Sequence, residues 1–221
     1  KEAKSFFFTD KQAMLDKAAE GLKVAERINN KTLQGNFNNI MGVAYTYLVK
    51  FELANKSLIK ARDLAIAIND KVLLSKAYTN LGLNYMQWGK QLPAINESLK
   101  AIKTLEEMGA KTGYSDIYAN ISNSYIVIEN FDKAKIYADS ALKQFKLEDK
   151  TSGIGNIYNN FGLIATDKKQ YESALDYYQK SLAIKRQLQD KTGEANTLIN
   201  IATVCKEMKA YNKAIAYFKM G

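Results

Sequence analysis

The sequence predicts an all-α protein, built as a solenoid of stacked antiparallel helix hairpins. Small residues recur with an unbroken step of 40 along the 221-residue chain. Each 40-residue unit contains two stretches whose apolar residues have helical spacing. The chain has 12 glycines and one proline. So few helix-breaking residues favour long helices over a loop-rich all-β fold.

Two columns of small residues mark the place where the two helices of each hairpin should cross. The first column is Gly42, Gly82, Ser122, Gly162 and Ala202. The second follows twelve residues later and is Ala54, Ala94, Ala134, Ala174 and Ala214. Helices approach to about 8–10 Å only where the side chains at the contact are small. We therefore expect each residue of the first column to lie against the alanine of the second.

The helices follow in a regular order. Residues 11–29 are predicted to form an unpaired second helix, and five first helices with their partners come next. In the fourth repeat the pair is expected at about 152–167 and 171–188. Turns are expected near 50, 70, 90, 110, 130, 150, 170, 190 and 210, which makes eleven helices in one array over 1–221.

The two ends of the chain suggest a piece of a longer protein. The chain starts at Lys1 and not at methionine, which is typical of a processed or excised segment. Its last helix stops at Gly221, and Phe218 and Met220 do not make the polar outer face that a capping helix needs. We expect the native protein to continue past residue 221.

The columns resemble those of the tetratricopeptide repeat. In the fourth repeat the matching residues are Tyr158, Phe161, Gly162, Ala165, Ala174, Tyr178 and Ser181. Ala165 departs from the tyrosine expected at its position, and Cys205 replaces it in the fifth repeat. The resemblance covers nearly the whole chain, although the step is 40 and not the commoner 34. It implies a right-handed superhelix whose first helices line a concave face.

Composition excludes several kinds of chemistry. The chain has no histidine and one cysteine, Cys205, so it lacks histidine acid–base catalysis and histidine or multi-cysteine metal sites. No glycine-rich phosphate loop is present. Acidic pairs such as Glu106-Glu107 and Glu148-Asp149 fall near predicted helix ends and are expected to be solvated. We predict a non-catalytic chain without metal or cofactor.

The positive charge indicates a lysine-covered surface more than a nucleic-acid interface. The net charge is +9, but the chain has only three arginines, Arg27, Arg62 and Arg186. Base and phosphate recognition favours the forked guanidinium group of arginine. Nucleic acid is therefore a disfavoured partner. No apolar run approaches 18 residues, so the sequence predicts no membrane span.

Asparagine recurs two residues before the small residue of the first helices. The resemblance places this column, Asn80, Asn120, Asn160 and Asn200, on the concave face. The same face carries Asn36, Lys76, Asn156 and Asn196 one turn earlier, and Asn123 on the next turn. An amide offers both a donor and an acceptor, as each peptide unit of an extended chain does. These nine residues are the predicted site for a protein or an extended peptide.

The spacing of the repeats suits an extended ligand. Helices packed about 10 Å apart would match every third residue of a peptide that rises about 3.3 Å per residue. A second interpretation is that the asparagines hydrogen-bond one first helix to the next within the stack. The residues alone leave both interpretations open.

The repeats also look like those of bacterial signalling proteins, in particular the sensor regions of histidine kinases of Bacteroidetes-type bacteria. The similarity lies in the 40-residue step, the Asn-Leu-Gly triplet at 80–82 and the Asp-Lys-Thr-Gly turn at 190–193. It implies a ligand-sensing or protein-interaction region of a larger protein, in the periplasm or the cytoplasm. Two alternatives are a scaffold that self-associates and an intracellular peptide receptor coupled to a transcription regulator.

Overall fold

The computed structural model describes residues 10–221, and every regular element in this range is an α-helix. The helices are α1 (Lys11–Arg27), α2 (Lys31–Tyr47), α3 (Phe51–Ala67), α4 (Lys71–Gln87), α5 (Gln91–Glu107), α6 (Ser115–Val127), α7 (Phe131–Leu147), α8 (Thr151–Asp167), α9 (Tyr171–Gln187), α10 (Lys191–Glu207) and α11 (Tyr211–Met220). The eleven predicted helices are thus confirmed within the described residues. None of them is long and apolar enough to cross a lipid bilayer.

One type of turn ends most of the helices. The second residue after the C-terminal end of the helix has a positive φ, and the next backbone N–H bonds back across the helix end. At the end of α2, for example, the Lys50 N–H donates to the Tyr45 carbonyl at 2.9 Å. This is the Schellman arrangement, which favours glycine at the left-handed position. Gly89 and Gly109 satisfy that preference, whereas Val49 has a φ of 60° despite its branched side chain.

The start of α6 departs from the regular pattern. The 13-residue helix begins at Ser115, after an irregular segment over 111–114 in which Gly113 has a φ of 96°. Its N-cap residue, Tyr114, makes no side-chain cap. The first turn of α6 must therefore find its hydrogen-bond acceptor elsewhere in the fold.

The described residues form two compact units, one ending at Lys111 and the other spanning Thr112–Gly221. The first unit contains α1–α5 and the second α6–α11. In each unit consecutive helices pack together, and first helices of successive hairpins also touch: α2 contacts α4, α6 contacts α8, and α8 contacts α10. The single array over 1–221 stays a prediction.

The predicted crossing points lie between the small residue and the alanine twelve positions later. A Cβ atom added at Gly82 would lie 3.2 Å from the Ala94 carbonyl oxygen. Ser122 uses the same proximity to donate its hydroxyl to the Ala134 carbonyl at 3.0 Å. In the fourth repeat the space above Gly162 is filled by the Tyr178 ring instead. The hairpins therefore close as predicted, with one local difference.

Candidate functional site

Two adjoining clefts lie along the first helices of the second unit. The smaller, of about 170 Å³, is lined by residues of α6, the end of α7 and α8, together with Lys150. The larger, of about 230 Å³, is lined by residues of α6, α8 and α10 and by Lys185 of α9. Asn123, Asn156 and Asn160 line both clefts, so the two are continuous. We call them together the amide cleft.

Five of the nine predicted site residues meet in the amide cleft. They are Asn120, Asn123, Asn156, Asn160 and Asn196. Asn159 and Thr197 complete the polar lining of the larger part. They share its wall because they lie on three first helices that pack in succession.

The other four predicted residues lie elsewhere. Asn200 donates its amide to Asn159 Oδ1 at 2.9 Å, at the border of the cleft. In the first unit Asn36 donates to the Thr32 carbonyl of its own helix at 2.9 Å, and the Lys76 side chain is exposed. A cleft of about 410 Å³ in that unit is lined by Glu26, Gln34, Asn38, Lys60, Asp63 and Leu64, none of which belongs to the predicted set.

Three residues of the asparagine column hydrogen-bond to the preceding first helix. Asn80 donates to Asn39 Oδ1 at 3.0 Å, and Asn160 donates to Asn123 Oδ1 at 2.6 Å. Asn200 makes the equivalent bond to Asn159. These are the bonds that the second interpretation of the column requires. Each of them uses the NH₂ group of one amide and the oxygen of the other, so the remaining half of each amide stays available.

The amides of Asn120 and Asn196 make no side-chain hydrogen bond within residues 10–221. Asn120 is half-buried and Asn196 is exposed. Asn160, in contrast, is 6% exposed. The predicted site residues therefore include amides that hold helices together and amides that are free to meet a ligand.

A buried lysine forms part of the wall of the larger cleft. The Lys185 side chain is 7% exposed. Its ammonium donates to Asn156 Oδ1 and to Asp190 Oδ2, the latter at 2.9 Å. The backbone N–H of Gly193 and the Lys185 ammonium both donate to the Asp190 carboxylate and lower its pKa. Sequence reasoning did not include Lys185 in the site.

The repeat columns of the sequence do indicate that Lys185 is unusual. The equivalent residues of the earlier repeats are Ala65, Leu105 and Phe145, all apolar. A Cβ atom at Gly193 would lie 2.7 Å from Lys185 Cδ and would also meet Asp190 Oδ2, so a larger residue there would require these side chains to shift. Gly153 plays the same part beneath the Phe145 ring. A large residue on the second helix is thus matched by glycine on the next first helix.

An ion-pair network closes the smaller part of the amide cleft. Lys150 Nζ lies 2.8 Å from Asp116 Oδ2 and 2.7 Å from Glu148 Oε2. Glu148 also accepts hydrogen bonds from the Ser115 hydroxyl at 2.6 Å and the Gly113 backbone N–H at 2.8 Å. A carboxylate from the α7–α8 turn therefore supplies the acceptor that Tyr114 does not provide at the start of α6.

The expectation that Glu148 is solvated was wrong, because its side chain is 6% exposed. Burial raises the pKa of this carboxyl group, but the hydrogen bonds from Lys150, Ser115 and Gly113 outweigh that effect and lower the pKa to about 2. Burial likewise lowers the pKa of Lys150, and Asp116 and Glu148 more than reverse the shift. Glu148 and Lys150 are therefore both charged at neutral pH, and their pairing fixes Lys150 at the wall of the cleft.

The amide cleft is lined by groups that form hydrogen bonds. Amide groups, two ammonium groups and a threonine hydroxyl offer hydrogen bonds in both directions. Within residues 10–221 no cluster of three or more acidic or cysteine side chains is placed to hold a metal ion.

Comparison with known families matches residues 113–187 and 153–221 to the tetratricopeptide repeat. The fold is of the tetratricopeptide-repeat type. A comparison with curated proteins found no significant sequence match. Among solved structures, BtubC from P. vanneervenii is similar with a TM-score of 0.78 and 21% identity, over 96% of this chain and 89% of that one.

Two further solved structures have a similar fold. A Rap protein complexed with Competence and Sporulation Factor has a TM-score of 0.78 and 15% identity, over 97% of this chain and 59% of that chain. The STAND protein with a tetratricopeptide repeat sensor from Pyrococcus horikoshii has a TM-score of 0.79 and 19% identity, over 95% of this chain and 33% of that chain. This chain thus spans less than two thirds of either protein.

Proposed function

We propose that this tetratricopeptide-repeat chain binds an extended peptide, or an extended segment of a partner protein, in the amide cleft of its second unit. The observation that carries the proposal is the meeting of five predicted asparagines on the walls of one continuous cleft. An amide can accept from a peptide N–H and donate to a peptide carbonyl, so it suits a main chain of any sequence.

The free halves of the bonded amides support this function. Asn123, Asn156 and Asn159 each accept a hydrogen bond through the side-chain oxygen. Their NH₂ groups have no acceptor among the described residues, and all three residues line the larger part of the cleft. Donors held in fixed positions lose little entropy when they meet the carbonyl groups of a ligand.

The similar structures support a role in sensing. The Rap protein is named as a complex with Competence and Sporulation Factor, and a Rap conjugation gene regulator of plasmid pLS20 is named as a complex with the Phr* peptide. We propose that this chain is likewise the ligand-recognition part of a larger bacterial signal-transduction protein. The proposal rests on the fold and the cleft, and the output module lies in another part of that protein.

A displayed library of random 12-residue peptides tests the binding function. The wild-type chain is used for selection, and the affinities of the selected peptides are measured by fluorescence polarisation. Asn120→Ala with Asn196→Ala should weaken these peptides at least tenfold, because both amides are free to contact a ligand. The same pair should change the free energy of unfolding by less than about 0.5 kcal/mol, as is usual for side chains without partners.

A control double variant and a third variant, Asn160→Ala, complete the test. The matched control is Asn96→Ala with Asn212→Ala, two exposed asparagines on second helices, which should leave the affinity unchanged. Asn160→Ala should lower the free energy of unfolding by about 1 kcal/mol, since it removes the bond to Asn123. The proposal fails if no peptide is enriched, or if the selected peptides bind the Asn120/Asn196 variant as tightly as the wild type.

A further inference from the structure

We propose that one edge of the first unit binds the surface of an anionic lipid membrane. We call it the turn edge, and it comprises the start of α1, the turn between α2 and α3, and the turn between α4 and α5. The side chains that carry the proposal are Lys11, Val49, Lys50, Trp88, Lys90 and Leu92. None of them lines a cleft described above, and the proposal does not depend on the amide cleft.

Ring contacts hold the three parts of the turn edge together. Lys11 Nζ lies 5.4 Å from the centroid of the Tyr47 ring, which joins the start of α1 to the end of α2. The Phe51 and Trp88 rings stack with their centroids 6.0 Å apart, which joins the two turns. The Asn84 side chain also donates to the Phe51 carbonyl at 3.3 Å. The turn edge is therefore one continuous surface within a single unit.

Val49 is an aliphatic residue at a place where the fold does not favour one. Its side chain is 70% exposed, and its φ of 60° lies in the left-handed region. A β-branched residue is strained there, whereas glycine and short polar residues are favoured. The other non-glycine residues with a positive φ in the described part of the chain are all polar or charged: Asn29, Asn69, Glu129, Asp149, Lys169, Gln189 and Lys209. The valine thus exposes apolar surface at a cost to the fold.

Leu92 departs from the repeat pattern in the neighbouring turn. It is the second residue of α5, and its side chain is 69% exposed. The residues at the same place in α1 and in the other second helices are polar or acidic: Gln12, Glu52, Asp132, Glu172 and Asn212. The helix dipole favours an acidic side chain near a helix N-terminus, and leucine offers no such benefit. Two adjoining turns therefore each present one aliphatic side chain to solvent.

Lysines flank both of these side chains. Lys50 and Lys90 are the N-cap residues of α3 and α5, and neither side chain caps its helix. A positive charge at this end of a helix opposes the helix dipole, so helix stability does not explain the choice of lysine. These two ammonium groups and that of Lys11 have no carboxylate partner among the described residues. The edge also carries two carboxylates, Asp10, which caps α1, and the exposed Glu52.

This combination matches the layers of an anionic bilayer. Aliphatic side chains enter the acyl boundary, aromatic rings favour the level of the headgroups, and lysines attract anionic lipids. Lys90 Nζ lies 3.3 Å from the centroid of the half-buried Trp88 ring, so the cation and the ring stand at one level. A lysine ammonium is a point charge on a flexible stem, which suits mobile lipid headgroups. The turn edge thus fits a lipid surface in its apolar, aromatic and charged parts.

Trp88 makes binding at the turn edge observable, because it is the only tryptophan in the sequence. The wild-type chain is titrated with vesicles of equal parts phosphatidylglycerol and phosphatidylcholine, and with vesicles of phosphatidylcholine alone. The anionic vesicles should shift the tryptophan emission to shorter wavelength, and lipids brominated in their acyl chains should quench it. Phosphatidylcholine vesicles should bind at least tenfold more weakly. Added salt should weaken binding to the anionic vesicles, because it screens the lysines.

Three variants separate the apolar contribution from the charge. Val49→Asn with Leu92→Asn should weaken vesicle binding at least tenfold, and because asparagine occurs at equivalent places in other turns, the melting temperature should not fall. Lys50→Gln with Lys90→Gln should weaken vesicle binding at least fivefold. Glu52→Gln should strengthen it about twofold, because it removes a negative charge from the edge.

The controls are the same changes at the opposite edge of the unit. Ile66→Asn with Val72→Asn removes two aliphatic side chains beside the turn between α3 and α4, which are 55% and 49% exposed. Lys23→Gln with Lys103→Gln removes two exposed lysines near the C-terminal ends of α1 and α5. Neither pair should change vesicle binding more than twofold.

Three results overturn the proposal. Absence of binding to the anionic vesicles would show that the turn edge has no affinity for lipid. Equal weakening by the two lysine pairs would show adsorption through the net charge of +9 and not through this edge. Vesicle binding unchanged in Val49→Asn with Leu92→Asn would place the contact elsewhere. If that pair instead lowers the mass of the chain in analytical ultracentrifugation, the edge binds a second copy of the chain and not a membrane.

Discussion

Replacement of Glu148 by glutamine tests whether one buried carboxylate organises the wall of the amide cleft. Glu148 lies in the turn before α8, yet it accepts hydrogen bonds from Ser115 and Gly113 at the start of α6 and pairs with Lys150. Glutamine keeps the shape and one oxygen. It removes the charge and turns a donor towards groups that are themselves donors, so the start of α6 and the position of Lys150 should both loosen.

The pKa of Glu148 sets the size of the effect. The folded value is about 2, against an ordinary 4.5. The difference of about 2.5 units corresponds to roughly 3 kcal/mol at about 1.4 kcal/mol per unit. Because the folded pKa is depressed, this stabilisation is fully present above about pH 4.5 and is lost as the pH falls towards 2. At neutral pH the variant should therefore lose about 2–3 kcal/mol of unfolding free energy.

Urea unfolding followed by circular dichroism, at pH 7 and at pH 2.5, measures this change. The difference between Glu148→Gln and the wild type should be large at pH 7 and small at pH 2.5. Glu172→Gln, at an exposed position of α9, is the control and should show no difference at either pH. Equal losses at both pH values, or no loss at pH 7, would refute the assignment of the stabilisation to the ionised carboxylate.

Two further predictions concern the helical framework. Val49→Gly should raise the melting temperature by removing about 1–2 kcal/mol of backbone strain at φ 60°, since the side chain is 70% exposed and little packing is lost. Gly89→Val should lower the melting temperature for the same reason. A lower melting temperature for Val49→Gly, or a higher one for Gly89→Val, would contradict the presence of strain. Gly82→Leu should lower the free energy of unfolding by several kcal/mol, because a Cβ atom there would already lie 3.2 Å from the Ala94 carbonyl oxygen, whereas Gln87→Leu, at an exposed position, should lower it little. Hydrogen exchange should show a loss of protection in Gly82→Leu that is centred on α4 and α5. A uniform loss of protection along the chain would contradict this prediction.

Much of the fold follows from the sequence because its information is local. Helical spacing and the 40-residue step set the helix bounds, and in the fourth repeat α8 and α9 agree with the predicted ranges to within one residue. The columns of small residues also locate the hairpin crossings, since only small side chains allow such close contact. The late start of α6 escaped prediction because Glu148, 33 residues after Ser115, caps it.

The candidate site, like the fold, was predicted in part from the sequence and decided in part by the tertiary structure. The sequence alone indicates a recurring amide on one face of the first helices, because that pattern repeats with the helices themselves. Only the tertiary structure shows that Asn80, Asn160 and Asn200 each donate to the preceding first helix while Asn120 and Asn196 do not. Asparagines on the same face of the first helices thus have different roles, since each role depends on which side chain lies opposite on a neighbouring helix.

Lys185 shows most clearly what the sequence indicates and what only the tertiary structure decides. Its departure from an apolar column is visible in the sequence. Its meaning depends on Asn156, 29 residues before it, and on Asp190 and the space above Gly193. The pattern of residues along one helix determines which face is buried, but the partner of a buried charge is chosen by the packing of three helices at once.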